Sequence, residues 1–397
     1  MDQKKVITAR IDLKNCTGCS ACIAACPKKC LQISADRYGF YIPEMADADA
    51  CIDCGLCTAA CPVLRVPDVS VQKTSAYAAI SNNRMLRMES SSGGIFSELA
   101  LKVFAEGGFV YGAVYNEEFR VVHQCTDNRG DLAAFRGAKY AQSDIGGCFG
   151  EIESRLRRSQ LVLFSGTPCQ TAGLKTFLGK EYENLITVDF VCHGVPSPKA
   201  WGKYVNYRAE IDNDGVLPEA INLRSKKTGW SRYRYSNRYI YQGDKEYLSE
   251  SGKDLFMRLF TGDYINRESC AGCRFKGYDR VSDITLADFW GIWDVAPEMD
   301  DDKGTSLVLL HSGKAKDLFS GLEKDGKIKL KEVGLPEASK QNPSLLYSSA
   351  SRPERGAVLD YIMQNGYFGA EKFFPSAEPA KRGSVQRIKQ RFFRMIK

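Results

Sequence analysis

Nine of the fifteen cysteines lie in the first 61 residues: Cys16, Cys19, Cys22, Cys26, Cys30, Cys51, Cys54, Cys57 and Cys61. Eight of them form a repeat. Cys16, Cys19, Cys22 and Cys26 recur 35 residues later (51 − 16 = 35) as Cys51, Cys54, Cys57 and Cys61, and both runs end in Cys-Pro. The spacing C-x2-C-x2-C-x3-C-P is the bacterial ferredoxin run, in which three thiolates hold one four-iron cube and the fourth crosses to the other. Two-residue gaps let a tight loop set three sulfurs on three corners of a cube, and the proline then turns the chain away. The expected ligand sets are Cys16, Cys19, Cys22 with Cys61, and Cys51, Cys54, Cys57 with Cys26, each around one 4Fe-4S cluster. Paired C-x2-C motifs also bind tetrahedral zinc, but two duplicated four-cysteine runs do not match the spacing of zinc ribbons. Cys30 stands outside the pattern and reads as a small buried hydrophobe. Such clusters relay single electrons, so another part of the chain must use those electrons or pass them on.

A second thiol group is assembled by topology. LVLFSG (161–166) reads as a buried strand, TPCQTAGLKTFLG as a loop and helix, and LITVDFVCHG as a second strand, together a βαβ unit with parallel strands. Cys169 and Cys192 then reach the same carboxyl edge of the sheet, where open α/β sheets place their sites. Cys270 and Cys273 form a lone C-x2-C that needs two more ligands, and Cys169 and Cys192 are the economical candidates. A third 4Fe-4S cluster is the favoured occupant, with zinc as the alternative. Cys125 and Cys148 read as unligated, Cys148 being a substitute for the fourth ligand. His193, beside Cys192, is a candidate proton donor, although a satisfied structural imidazole is the stronger reading. Asp283 and Asp288 read as structural.

Two segments carry anion-binding chemistry. In SSSGGIFSELALKVFAEGG, Ser90 to Gly94 precede a helical stripe of Ile95, Leu99, Val103 and Phe104. The turn is either a plain N-cap or an anion site built on unpaired N–H groups. FVYGAVY and FRVVHQC suggest a hairpin, and the following RGAKYAQS supplies Arg136 and Lys139, for a phosphate or a solvated loop. No G-x-G-x-x-G fingerprint follows a strand, so a tightly read NAD is not supported. Residues 226–241 mix cations with aromatics, a composition that can stack on bases; a hairpin near the cleft or a partner surface is the preferred reading.

These elements must be carried by ordinary globular domains. The chain has 397 residues, 44% hydrophobic and 26% charged, enough for two or three cores. The formal net charge of +7 comes from residues 381–397, which hold seven basic residues and no acid. The neutral body gives no argument for nucleic-acid binding. In the tail, Val385, Ile388, Phe392 and Met395 recur at helical spacing among the cations, the pattern of a helix lying on anionic lipid, of a solvated end, or of docking onto an acidic partner. No apolar run approaches a membrane span and the start has no signal-peptide core, so a cytoplasmic location is expected, with peripheral membrane contact through the tail.

The ferredoxin run followed by SSSGGIF, RGAKYAQS, FSGTPCQ, VCHGVPSP, CAGCRF and DITLADFWG resembles the beta subunit of coenzyme F420 hydrogenase and dehydrogenase, over nearly the whole chain to about residue 310. The resemblance implies FAD near Ser91, Ser92, Gly93, Gly94 and Lys139, beside the third cluster. It implies hydride exchange with the deazaflavin coenzyme and single-electron transfer through the clusters to a redox partner protein; a quinone acceptor would go with membrane contact through the tail. A flavin converts between hydride pairs and single electrons; the alternative is a flavin-less relay serving a separate catalytic subunit. The expected fold class is α+β: a two-cluster ferredoxin domain at 1–66, a linker at 67–88, an α/β flavin and iron–sulfur domain at 89–310, its extension at 311–380, and the basic tail at 381–397.

Overall fold

The computed structural model describes residues 6–67, 73–231 and 234–373. The amino-terminal module repeats in space as it does in sequence. Two four-residue helices, α1 (Ala21–Ala24) and α2 (Leu56–Ala59), start 35 residues apart and flank an antiparallel hairpin of β1 (Leu31–Ala35) and β2 (Tyr41–Met45). In each cysteine run the two residues between ligands that reverse the chain have positive φ: Gly18 and Ser20 in the first, Asp53 and Gly55 in the second. An L residue pays about 1 kcal/mol for that conformation, so Ser20 and Asp53 accept strain to aim sulfurs. The module's own core is Val6, Ile7, Cys22, Leu31, Cys57 and Cys61. Half of those side chains are thiols, too little apolar surface for so short a segment to fold without metal.

The larger unit is built on an eight-stranded sheet of order β13-β3-β12-β11-β7-β6-β4-β5. Its strands are β3 (Ser75–Ser81), β4 (Phe109–Tyr115), β5 (Val121–Thr126), β6 (Val162–Ser165), β7 (Leu185–Phe190), β11 (Ile284–Asp288), β12 (Ser306–Leu310) and β13 (Ile328–Val333). The central strands β4, β6, β7 and β11 are parallel, with antiparallel strands at both margins. A three-stranded antiparallel sheet of β8 (Ala220–Ser225), β9 (Ser236–Ile240) and β10 (Glu246–Glu250) stands apart. Residues 226–235 are the connection between β8 and β9, so the hairpin expected within 226–241 has its strands farther apart than the reading placed them.

Helices cover both faces. In order they are α3 (Arg84–Glu89), α4 (Ile95–Ala105), α5 (Leu132–Phe135), α6 (Cys148–Arg157), α7 (Pro168–Leu178), α8 (Pro198–Asn213) and α9 (Leu255–Thr261). Ile95, Leu99 and Val103 of α4 pack on Val110, Leu163 and Val308. The alternate residues Val162 and Phe164 point to the other face, where they meet Phe149 and Ile152 of α6 and Leu174 of α7. Cys19, Ala21 and Ala60 belong to that same core, so the ferredoxin module docks on α7. A third core joins Trp201 and Tyr204 of α8 with Tyr239 and Phe256.

The βαβ reading matches the structure: β6 and β7 pair in parallel with Val162 opposite Leu185. Between them α7 opens with Pro168 and a capping box between Thr167 and Gln170, and closes on left-handed Gly179. The 67–88 segment differs from the linker expected there. Residues 75–81 form β3, held between β12 and β13, and 84–89 form α3. Its sequence, SAYAAIS, is alanine-rich because both faces are covered, and small residues carry no strand period. Residues 328–333 close the same sheet as β13, so the 311–380 stretch is integral to it. The basic tail lies outside the described residues. Among the described residues no helix is long and apolar enough to cross a membrane.

Candidate metal centres

Three spaces in the molecule are lined by thiols. The first, about 320 Å³, is walled by Cys26, Cys51, Cys54 and Cys57, with Cys30 as a fifth. The second, about 360 Å³, is walled by Cys16, Cys19, Cys22 and Cys61. The third, about 690 Å³, is walled by Cys169, Cys192, Cys270 and Cys273. Cys26 thus lines the space of the second run and Cys61 that of the first. Among the described residues no three His, Cys, Asp or Glu form a ready-made set around a single metal ion. The thiols face open spaces, not a closed tetrahedron.

The spaces are in series. Thr17 and Val63 line both the second and the third. A Cβ on Gly173 of α7 would sit 2.9 Å from Cys19 Sγ; Cys169 is four residues earlier on that helix. The first space lies at the surface, since Cys54 is exposed, while Cys19 and Cys22 are buried.

Local donors suit thiolate clusters. Ile7 N–H points at Cys57 Sγ (3.3 Å) and Gly18 N–H at Cys16 Sγ (3.4 Å), bonds that tune a cluster's potential. The Cys16–Gly18 loop is gripped from the larger unit. Arg267 Nε donates to Cys16 O (2.6 Å) and its Nη1 to Gln142 Oε1 (3.0 Å), while Gln142 Nε2 donates to the carbonyls of Thr17 and Gly18. Gly18 combines a positive φ with a Cβ position 2.1 Å from Gln142 Nε2, so only glycine fits.

The third space is ringed by cations. Arg267, Arg274 and Lys276 line it, Lys276 Nζ donates to the Cys192 carbonyl, and buried Arg280 lies close enough to favour a Cys192 thiolate. Burial nonetheless pushes the thiols of Cys19, Cys192 and Cys270 up to about 12, and those of Cys22 and Cys169 well above the ordinary range. Without metal these groups are neutral, so loading a cluster releases protons. A cationic wall around Cys169, Cys192, Cys270 and Cys273 fits a net-negative iron–sulfur group.

A network seats the Cys169 loop. His123 Nε2 lies 3.0 Å from Ser165 O, which can only accept, so Nδ1 accepts from the Ser143 hydroxyl at 2.9 Å; Ser143 in turn accepts from Gln170 Nε2 (2.9 Å). Burial lowers the His123 pKa to about 4, keeping it neutral. His193 lines the third space, but its Nε2 stands 2.8 Å from Asp263 and its Nδ1 3.3 Å from Ser344 Oγ. Cys148 is in α6 against the His123 carbonyl (3.6 Å) and does not line the third space. Asp283 pins β11 to β7 through Thr187 (2.8 and 2.7 Å), and Asp288 pairs with Arg224.

Ser91, Ser92, Gly93, Gly94 and Lys139 line none of the three spaces. Gly93 N–H is committed to Ser306 Oγ (3.0 Å), Ser92 Oγ to Thr305 O (3.1 Å), and a Cβ at Gly93 would lie 2.4 Å from Ala79 O. Lys139 Nζ donates to the carbonyls of Ala134 and Arg136 at 2.8 Å each, and Arg136 pairs with Glu89. One feature remains open to an anion: the α4 amino terminus at Gly94 has no side-chain cap. Lys226 Nζ, like that of Lys139, is committed to carbonyls, those of Ser92 (2.8 Å) and Arg87 (2.5 Å). Beside them Arg224 is sandwiched among Trp230, Tyr235 and Trp290 (3.8–5.1 Å). The serine, glycine and lysine groups expected to hold a flavin phosphate are thus bonded to the protein itself, and the uncapped Gly94 end of α4 is what the turn leaves for an anion.

The sequence reading missed Gln142, Arg267, Arg224 and Trp290, whereas Lys226, Trp230 and Tyr235 lie in the 226–241 segment read as cations mixed with aromatics. Gln142 lies in the RGAKYAQS motif and Arg267 three residues before Cys270.

Residues 159–334 match the family model described as the C terminus of the beta subunit of coenzyme F420 hydrogenase/dehydrogenase, and residues 15–66 match a 4Fe-4S dicluster domain. They take in the ferredoxin run and FSGTPCQ, VCHGVPSP, CAGCRF and DITLADFWG, while SSSGGIF and RGAKYAQS lie outside both. No curated protein matches the chain. A solved structure of the F420-reducing NiFe hydrogenase complex from Methanosarcina barkeri, derivatised with xenon, aligns with a TM-score of 0.46 at 15% identity, covering 70% of this chain and 90% of that one.

Proposed function

We propose that this chain, which joins a 4Fe-4S dicluster domain to the carboxyl-terminal domain of a coenzyme F420 hydrogenase/dehydrogenase beta subunit, is an iron–sulfur flavoprotein oxidoreductase subunit with three clusters in series. The observation that carries this reading is the shared wall: Thr17 and Val63 border both the inner ferredoxin set and the Cys169, Cys192, Cys270, Cys273 set. When bound, the clusters supply one-electron relay and FAD supplies exchange between hydride pairs and single electrons. The chain's own residues hold thiolates, exclude water from Cys19 and Cys22, and set four cations around the third group. His193 is a positioning residue, tied to Asp263 and Ser344. The substrate end is the sheet's carboxyl edge, with the deazaflavin coenzyme as the candidate hydride partner. The exposed Cys54 end faces a partner redox protein, and a quinone or membrane contact rests on the tail alone.

A relay without flavin is the second reading. It is favoured by the commitment of the Gly93 amide and the Lys139 ammonium to the protein's own groups.

Protein purified without oxygen separates these. About twelve irons with equal sulfide, as three four-iron clusters hold, and one FAD are expected. Cys270→Ser should lose about four irons, the content of one cube, and leave the ferredoxin signals; an unchanged iron count sinks the third site. Full iron without flavin establishes the relay, and a flavin inert to the deazaflavin coenzyme removes that couple.

A further inference from the structure

The surface cluster space holds five thiols where a cube takes four. Cys30 Sγ lies 3.3 Å from Cys26 Sγ, is 3% exposed, and lines the same wall as Cys51, Cys54 and Cys57. We propose that Cys30 is a reserve ligand of this outer cluster, able to take the iron corner assigned to Cys26. The proposal rests on the ligand sets given above.

Three observations support it. The position equivalent to Cys30 in the second repeat is Arg65 (30 + 35 = 65), so the fifth thiol belongs to the outer space alone. It is not an accident of the repeat. Cys30 is aimed inward by the Pro27–Lys29 turn, where Lys29 takes a positive φ of 52°, strain of the kind that collects at functional sites. Its carbonyl is fixed by Ala46 N–H (2.9 Å) at the mouth of β1, so the thiol is presented by a strand end, not by a mobile loop. The chemistry is a ligand exchange without redox change. The Fe–S bond to Cys26 breaks as a bond to Cys30 forms, and the proton leaving the Cys30 thiol is taken up by the released Cys26 thiolate. The outer site is the one that needs such insurance, because Cys54 leaves it open to water and oxidants while the inner set is closed behind α7.

Four variants, purified without oxygen, test this by iron and sulfide content and by electron paramagnetic resonance in oxidised and reduced forms. Cys26→Ala should keep all its iron, with an altered signal from the outer cluster. Cys30→Ala should keep its iron and an unaltered signal. Cys26→Ala/Cys30→Ala should lose about four irons, the content of one cube. Cys61→Ala, which has no reserve, should lose about four by itself. The proposal is overturned if Cys26→Ala loses as much iron as the double variant or shows a three-iron signal when oxidised. It is also overturned if Cys30→Ala alone empties the site, since Cys30 would then be the primary ligand. Retention of full iron in Cys61→Ala would instead break the ligand assignment on which the proposal stands.

Discussion

The two cysteine repeats share one spacing and one backbone path, yet they live in opposite environments. In the first, Gly18, Cys19 and Ala21 are buried, Ala21 at 0% exposure, under α7 and the Gln142–Arg267 grip. Their counterparts 35 residues on, Asp53, Cys54 and Leu56, are exposed, with Leu56 at 50% and neighbouring Ile52 at 59%. The repeat sets coordination and the docking sets role. One half is an interior station and the other faces outward.

Exchanging equivalent residues tests that contrast. Gly18→Asp puts the second repeat's own residue into the first, where its Cβ would meet Gln142 Nε2 at 2.1 Å and Tyr41 O at 2.6 Å. A loss of about 3 kcal/mol or more is expected, together with the inner cluster's iron; Asp53→Gly should stay within about 1 kcal/mol. Equal melting temperatures for the two would erase the difference between the repeats. Ala21→Leu overpacks the α1–α7 contact and should cost about 1–3 kcal/mol, whereas Leu56→Ala should fall within about 0.5 kcal/mol. Denaturant midpoints decide it.

The smallest effect is a pH dependence confined to the first repeat's support. His123 is neutral in the fold, its pKa lowered by burial from 6.5 to about 4. The unfolded chain therefore binds the proton more readily, and stability is intact above pH 6.5 and lost as pH falls toward 4. The loss is about 1 kcal/mol at about pH 5.5. Midpoints at about pH 7.5 and 5.5, on either side of the unperturbed histidine value, should differ in the parent and differ by less in His123→Gln. An undiminished difference in the variant would assign the effect elsewhere, His311 being the next candidate because burial holds it at about 3.

Sequence alone carried the grouping of the thiols around three spaces, because most of their spacing is local. Cys16 to Cys26 and Cys51 to Cys61 each sit within one loop and one helical turn. The Cys169–Cys192 pairing was also legible, since a βαβ unit has one handedness and one edge. What escaped was non-local. β3 acquires its partners β12 and β13 from more than 200 residues downstream, and nothing in SAYAAIS announces them. Gln142 and Arg267 act across 125 residues, so neither advertises a role within its own segment. The flavin turn was read from serine and glycine content; backbone packing against Ala79 and Ser306 is invisible at that level.

The docked inner loop also has a bearing on biogenesis. Cys19 is covered by Gly173 and the Cys16 loop is held by Arg267 and Gln142, so the larger unit packs directly on the ligand loop of the inner position. Cluster loading and domain docking are therefore coupled, because the loop that carries the inner ligands is the loop the larger unit grips.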